Sequence, residues 1–387
     1  MSTDVPHREG SGHPFRRTSN RMADGREIIY FDDTEPWLSG ERVRDAVDHR
    51  PLPPADEVVR GGSQVRQDPL TGDWIAMASH RNDRTLMPPP DEDPLAPTLP
   101  GRFPTEIADS SYDVVVFENR FPSFSTRIGG EPGLVDGEEL WPVRPANGRC
   151  EVICFTSAPE GSFATLDPHR ARTVVEAWVD RTQELAAVPG VEQVFCFENR
   201  GAEIGVTLPH PHGQIYAFPY LTPRTQTMLR RADEHRAATG RNLFRDVLDA
   251  ERRSGVRVVL ETEHWVAYVP AAARWPVEVH LAPKRDVPDL PALDDAERAD
   301  LVTAYLDLLG RLDRYYPDEH PLPYISGWFQ APVRTGREEF RLHLQVFSVL
   351  RGPGKVKFLA GVESAQAAWI NDTTPEKVAA RLREVGQ

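Results

Sequence analysis

Two stretches of this chain run through the same succession of elements, and that repetition limits the fold more than any other feature. The first begins at the strand-like Glu151-Val-Ile-Cys-Phe155 and passes Leu166-Asp-Pro168 into a helical stretch reaching about Ala187. It continues through apolar Val194-Phe-Cys-Phe197 to a strand at His210. The second begins at Val277-Glu-Val-His-Leu281 and passes Leu293-Asp-Asp295 into an amphipathic stretch ending near Tyr316. It then runs through Tyr324-Ile-Ser-Gly-Trp328 to Arg341-Leu-His-Leu-Gln345. The intervals from Leu166 to His210 and from Leu293 to His343 are similar, and the Asp that precedes each helical run reads as an N-cap or first-turn acid. The pattern predicts an α+β chain of two related halves, mostly antiparallel sheets flanked by helices. Residues 26–222 form the half that carries the chemistry and residues 223–387 the other. Residues 1–25, polar and without an apolar run, read as a flexible tail, which excludes a signal peptide or membrane span there.

Within the first half, His210-Pro-His-Gly-Gln214 lies between apolar segments. Side chains in a strand alternate faces, so His210, His212 and Gln214 are expected on one side, with Gly213 letting an anionic ligand approach the backbone. A His-x-His pair by itself reads equally as structural or metal-binding. The added Pro, Gly and Gln point to phosphate chemistry. A neutral imidazole attacks phosphorus without first losing a proton, provided its other ring nitrogen holds the hydrogen, and the carbonyl of His210 is a candidate acceptor for it. Gln214 donates a hydrogen bond but no proton, so it suits an enzyme that keeps a covalent nucleotidyl intermediate until a second phosphate arrives. The second half keeps His343 but has Gln345 two residues on, and is expected to be a structural partner without the same chemistry.

Composition narrows the partners. The formal charge of −14 argues against nucleic acid, whose affinity rests on phosphate neutralisation, so anionic substrates must meet local basic clusters. Cys150, Cys154 and Cys196 form no CxxC and no disulfide framework, which fits the cytoplasm. The proline-rich run from Pro88 to Pro100 reads as an extended surface loop, and Thr222 to Arg253 as a solvated helix joining the halves.

Ordered blocks along the chain resemble the galactose-1-phosphate uridylyltransferase family of the histidine-triad-like superfamily. They are Arg66 to Trp74 with Ser79 to Arg84, Val116 to Phe121, Glu198 to Gln214, Glu261 to Trp265 with Ala273 to Pro276, and Lys357 to Glu363. The resemblance implies a ping-pong exchange in galactose metabolism. UDP-glucose gives UMP to His212, and galactose 1-phosphate then takes it to give UDP-galactose. It assigns Gln214 to the phosphoryl oxygens and His210 to positioning. Asn199 and Thr207 fall to the UDP phosphates, and Asn119, Phe121 and Phe197 to the uridine. Arg81 and Arg84 with Lys357 go to the hexose phosphate, and Glu363 to sugar hydroxyls. Guanidinium forks match phosphate oxygens. By themselves Arg81 and Arg84 read equally as a solvated face, Phe121 and Phe197 as core, and Asn199 as a turn former. The resemblance also implies a homodimer whose active sites share the segment from Lys357 to Glu363. An ADP-glucose phosphorylase or adenylyltransferase of the same superfamily, or a non-catalytic nucleotide-sugar sensor, is the alternative.

The chain departs from the family at its metals. Of the zinc ligands only His210 remains, with Asp93 to Gly101 where a cysteine pair stands and Ala158 to Ser162 where a histidine stands. The positions of the second metal, often assigned to iron, correspond to Met228, Phe329, His343 and Gln345. A structural zinc takes four N or S ligands, so neither metal is expected and no cofactor is required. Trp369 stands where the family has a hexose-contacting glutamine, which makes sugar specificity less secure than reaction type.

Overall fold

The computed structural model describes residues 3–5, 12–55, 57, 62–83, 92–102, 104–316 and 321–386. The chain enters through β1 (Thr3–Val5), β2 (Arg16–Arg21) and β3 (Glu27–Asp32). Strands β4 (Gln64–Gln67) and β5 (Trp74–Met77), with β7 (Gly133–Leu134) and β8 (Pro142–Pro145), form a small sheet, and β6 (Val114–Glu118) returns to the main one. The first repeat follows as β9 (Arg149–Cys154), α1 (Pro168–Ala186), β10 (Gln193–Arg200) and β11 (His212–Phe218). Helices α2 (Pro223–Thr239) and α3 (Leu243–Ser254) lead to β12 (Val258–Glu261) and β13 (Trp265–Tyr268). The second repeat is β14 (Val277–Pro283), α4 (Asp295–Asp313), β15 (Tyr324–Phe329) and β16 (His343–Ser348). The short β17 (Leu350–Gly352) and β18 (Lys355–Val356), then α5 (Gly361–Gln366) and α6 (Pro375–Glu384), close the chain.

One antiparallel sheet of twelve strands runs through both repeats in the order β1-β2-β3-β6-β9-β11-β10-β15-β16-β14-β13-β12. The order around its centre is self-mirroring: β10 meets β15, and moving outward β11 answers β16, β9 answers β14 and β6 answers β13. The duplication read in the sequence is therefore a structural duplication about the β10–β15 seam, where Asn199 lies opposite Ile325.

Both long helices start where the sequence signals them. Asp167 accepts the Arg170 N–H at 3.0 Å. Asp294 accepts that of Glu297 at 2.9 Å, while the Glu297 carboxylate accepts the Asp294 N–H in return, a reciprocal cap. Helices α1 and α4 cover one face of the sheet, where Trp178 stacks on Phe163 and meets Trp328 edge-on. Buried residues of both repeats form one continuous core there, among them Ile153, Val175, Ile215, Leu309 and Leu344. The other face is left for the cavities described below.

Two expectations are corrected. Residues 16–21 are a strand paired with β3 and followed by a turn at Gly25, whose φ is 84°, so the flexible-tail reading fails for that part of residues 1–25. The apolar Ile28-Ile-Tyr-Phe31 supplies a buried strand, and the polar Arg16–Arg21 run pairs with it as an outer neighbour. The single helix expected from Thr222 to Arg253 is two, because Gly240 ends α2 at a left-handed φ of 73° and Asn242 caps α3. Of the proline-rich run, residues 92–102 follow an irregular loop with one isolated bridge, Pro97 to Ile107, and residues 84–91 lie outside the described residues.

Candidate active site

Strand β11 presents a half-buried face at His212, Gln214, Tyr216 and Phe218 and a buried face at Gly213, Ile215 and Ala217. The buried face meets the core under α1, so the other face must look away from it, into a cavity of about 870 Å³. His212, Gln214, Phe197, Asn199, Thr207, Asn119, Phe121 and Arg81 all line that cavity. Five separate segments converge because β11 and β10 are adjacent strands and the segments after β5, β6 and β10 close around them. Phe197 and Tyr216 pack edge-to-face at 5.2 Å between centroids. Asn119 and Phe121 are fixed by a turn in which the Asn119 side-chain oxygen accepts the Phe121 N–H at 2.9 Å. Arg81 donates to the Phe121 carbonyl at 3.0 Å, which ties the short helical turn of residues 79–83 to the same wall.

His212 Nδ1 lies 2.7 Å from the His210 carbonyl oxygen. A carbonyl only accepts, so Nδ1 carries the hydrogen and Nε2 keeps its lone pair. Burial pushes the imidazole pKa below its ordinary range, against the hydrogen bond to His210, which favours the charged form. The Gln214 side chain has no hydrogen bond among the described residues and lines the cavity, so its amide is available to a ligand.

His210 does not line the cavity. It precedes the strand, is fully buried, and is enclosed beside the cavity wall: Nδ1 donates to Asp93 at 2.6 Å, and Nε2 lies 2.8 Å from both the Tyr112 hydroxyl and the Thr156 carbonyl. The strand proper begins at His212, but the Phe155 N–H still bonds the Pro211 carbonyl at 3.0 Å, so the pairing runs on toward His210, and what differs from the expectation is that its ring is sealed off from the cavity. Gly213 also has a different reason from the expected one. A Cβ there would lie 2.8 Å from the Phe197 carbonyl oxygen and 3.0 Å from the Phe155 ring, so close packing in the core demands the glycine.

Lys357 and Glu363 do not line the cavity of their own chain. Lys357 Nζ donates to the Ile370 carbonyl at 2.5 Å and lies 3.3 Å from Glu363 and 3.2 Å from Asp372. Arg84 falls outside the described residues. Trp369 packs against Trp275 at 5.0 Å between centroids. The cavity also contains Tyr216, Arg50 and Arg120, which the sequence reading missed. Tyr216 was legible in the period-two pattern, two residues beyond Gln214, whereas nothing local marks Arg50.

The donor sets fit neither metal. Both nitrogens of His210 are engaged by protein groups. His343 donates from Nδ1 to the Arg341 carbonyl at 2.9 Å, and its Nε2 lies 3.1 Å from the Gln345 amide nitrogen, with the Phe329 ring stacked at 5.3 Å. Among the described residues, one group of three metal-ligating side chains brings its atoms within 4.8 Å: His13, Asp33 and His169. There Arg170 already holds both Asp33 oxygens, at 2.7 and 2.9 Å, so a cation would meet a guanidinium.

Residues 53–222 match the family described as galactose-1-phosphate uridyl transferase, N-terminal domain, and residues 228–387 match its C-terminal domain. The chain is 49% identical to the galactose-1-phosphate uridylyltransferase of Streptomyces lividans, over 96% of this chain and 98% of that one. It is 34% identical to that of Thermotoga maritima, over 83% and 98%. A solved uridylyltransferase structure superposes with a TM-score of 0.73 at 31% identity, covering 84% of this chain and 98% of the other.

Proposed function

We infer the chemistry of this chain from the family to which it belongs, that of the galactose-1-phosphate uridylyltransferases: it is an enzyme that exchanges UMP between UDP-glucose and galactose 1-phosphate. The exchange proceeds in two displacements at one phosphorus. His212 Nε2 attacks the α-phosphorus of UDP-glucose, the P–O bond to the β-phosphate breaks, and glucose 1-phosphate leaves with the bond's electron pair. A phosphate oxygen of galactose 1-phosphate then attacks the same phosphorus, the P–N bond breaks, and the electron pair returns to Nε2. Two inversions retain configuration at phosphorus.

The observation that carries this reading is the 2.7 Å bond from His212 Nδ1 to the His210 carbonyl, which fixes the tautomer with a free Nε2 on the cavity wall. His210, held by Asp93, Tyr112 and Thr156, is a positioning residue that keeps that carbonyl in place. Gln214 donates to the phosphoryl oxygens, Asn199 and Thr207 hold the phosphates, and Phe121 and Phe197 flank the uracil. The reaction needs no metal. The hydrogen bonds around His210 fix the loop of residues 92–102 to the strand, through Asp93 and through Tyr112, whose hydroxyl lies 2.8 Å from the Leu95 carbonyl. Intact-mass measurement after mixing the chelator-treated chain with UDP-glucose is the test. A UMP-sized gain discharged by galactose 1-phosphate is expected, and no adduct would refute the covalent route. Gln214→His, which restores a proton donor, is expected to shorten the adduct's lifetime in water by about 10-fold or more.

The enzyme works as a cytoplasmic homodimer. Three buried, unpaired cysteines support a reducing compartment. Among the described residues no helix is long and apolar enough to cross a membrane. Exposed Phe358, Leu359, Val362 and Ile370 around α5 support coverage by a second copy, which would deliver Lys357 and Glu363 to the neighbour's cavity. Activity per chain is then expected to fall on dilution in step with dissociation measured by sedimentation, and a fully active monomer would refute the shared site.

A further inference from the structure

The duplication gives the second half its own cavity at the place that mirrors the first. Strand β16 lies between β14 and β15 as β11 lies between β9 and β10, and His343 donates from Nδ1 to the carbonyl two residues before it, as His212 does. The face carrying His343 and Gln345 opens into a cavity of about 330 Å³ roofed by α2 and α3. Phe244, Leu248 and Tyr268 supply an apolar wall, and six arginines line it.

Four of those arginines have carboxylate partners. Arg245 and Arg341 lie against Asp286, Arg285 against Glu297 and Arg231 against Glu234. Arg224 and Arg274 have no ion pair among the described residues. The nearby Glu278 carboxylate accepts the backbone N–H groups of Arg274 and Trp275, at 2.6 and 3.2 Å, and lies 3.1 Å from His280 Nε2. Arg224 stands 5.1 Å over the Phe329 ring in the first turn of α2. Burial and the neighbouring Arg274 cation together push the Arg224 guanidinium down to about 10. Glu278 offsets part of this charge at a distance, but neither guanidinium has a direct ion pair, and two such cations at a mostly apolar chamber are costly unless an anion joins them.

We propose that this second cavity binds a small phosphate monoester, its dianionic phosphate between Arg224 and Arg274 and its uncharged body against Phe244, Leu248 and Tyr268. Guanidinium forks match phosphate oxygens, and two unpaired cations match a dianion better than a carboxylate. The site binds without reacting. The Gln345 amide donates to His343 Nε2 at 3.1 Å, so the lone pair that would attack is already occupied. The choice of a nucleotide as probe rests on the reading of the first cavity as a uridylyl site.

Equilibrium dialysis with labelled UMP tests this on the full chain. Two UMP per chain are expected, falling to one in Arg224→Gln/Arg274→Gln. If the first cavity is not a nucleotide site, the numbers become one and none, which still supports this proposal. Equal numbers in both proteins exclude UMP as the occupant, and equal numbers again with labelled galactose 1-phosphate overturn the proposal. A Phe244→Trp reporter with both arginines intact guards against misfolding of the double variant. Titration with UMP, galactose 1-phosphate and inorganic phosphate is expected to shift its emission for at least one of the two esters, and the ester that acts identifies the body recognised. No response to either ester overturns the proposal.

Discussion

Replacing His212 with glycine is expected to lower uridylyl transfer by roughly 10⁴-fold or more, because no other group on the cavity wall combines a free lone pair with the right neighbourhood. The fold should survive. His212 lies on the half-buried face of β11, and the strand is held by Gly213, Ile215 and Ala217 on the other. Binding of UDP-glucose should change far less than turnover, since the proposed phosphate and uracil contacts remain. A variant that keeps a tenth of the activity would rule out His212 as the nucleophile. The wild-type pH profile carries a second reading of the same residue. The imidazole pKa lies below 6.5, so it stays neutral as pH falls through 6.5, and the acid limb of kcat/KM should appear below that value. A limb above 6.5 would contradict the buried, neutral state.

The largest effect on stability is expected from Arg181→Met. Glu151 is fully buried between the sheet and α1, with Arg181 Nε and Nη2 donating to it at 3.0 and 2.9 Å and Arg149 at 2.8 Å. Burial alone would raise the Glu151 pKa, but the Arg181 and Arg149 guanidiniums hold it below the usual carboxylate range. Removing Arg181 leaves a buried carboxylate with half its compensation, at a cost of about 3–5 kcal/mol. Glu151 lies opposite Ile215 on β11, so the strand bearing His212 would loosen with it. Because the folded pKa is depressed, this contribution is present above 4.5 and is lost as pH falls through the lower folded value. The variant's deficit should therefore shrink toward acid pH. Urea midpoints at pH 7 and pH 4 measure both effects. The double variant Glu151→Leu/Arg181→Met should recover much of the loss, since Arg149 keeps Glu27 at 2.5 Å. A single variant within about 1 kcal/mol of wild type at pH 7 would show that the pair is not needed.

The central chemistry was readable because it is local. His212 and Gln214 share a strand face by period two, and the acceptor for the His212 Nδ1 hydrogen is the carbonyl two residues back, so neighbours in sequence carry that part of the site. The duplication was readable for the same reason, since each repeat announces itself by strand patterning and an Asp cap before its helix. That His210 is sealed off from the cavity was not readable, because the buried partners Asp93 and Tyr112 that enclose it are distant in sequence. The N-terminal strand was missed because its polar residues are stabilised by pairing with β3, which composition does not encode.

The sequence by itself determined the two halves, the strand that bears the proposed nucleophile and the residue types proposed to meet phosphate, because periodicity and capping act over a few residues. Only the tertiary structure decided that the halves join into one twelve-stranded sheet and that Arg50 and Arg120 complete the first cavity. It also decided that Lys357 pairs with Glu363 away from the first cavity and that Arg224 and Arg274 line the second without a direct ion pair among the described residues. Those outcomes depend on which distant segments become neighbours once the apolar faces are buried, and side-chain spacing along the chain carries no measure of that distance.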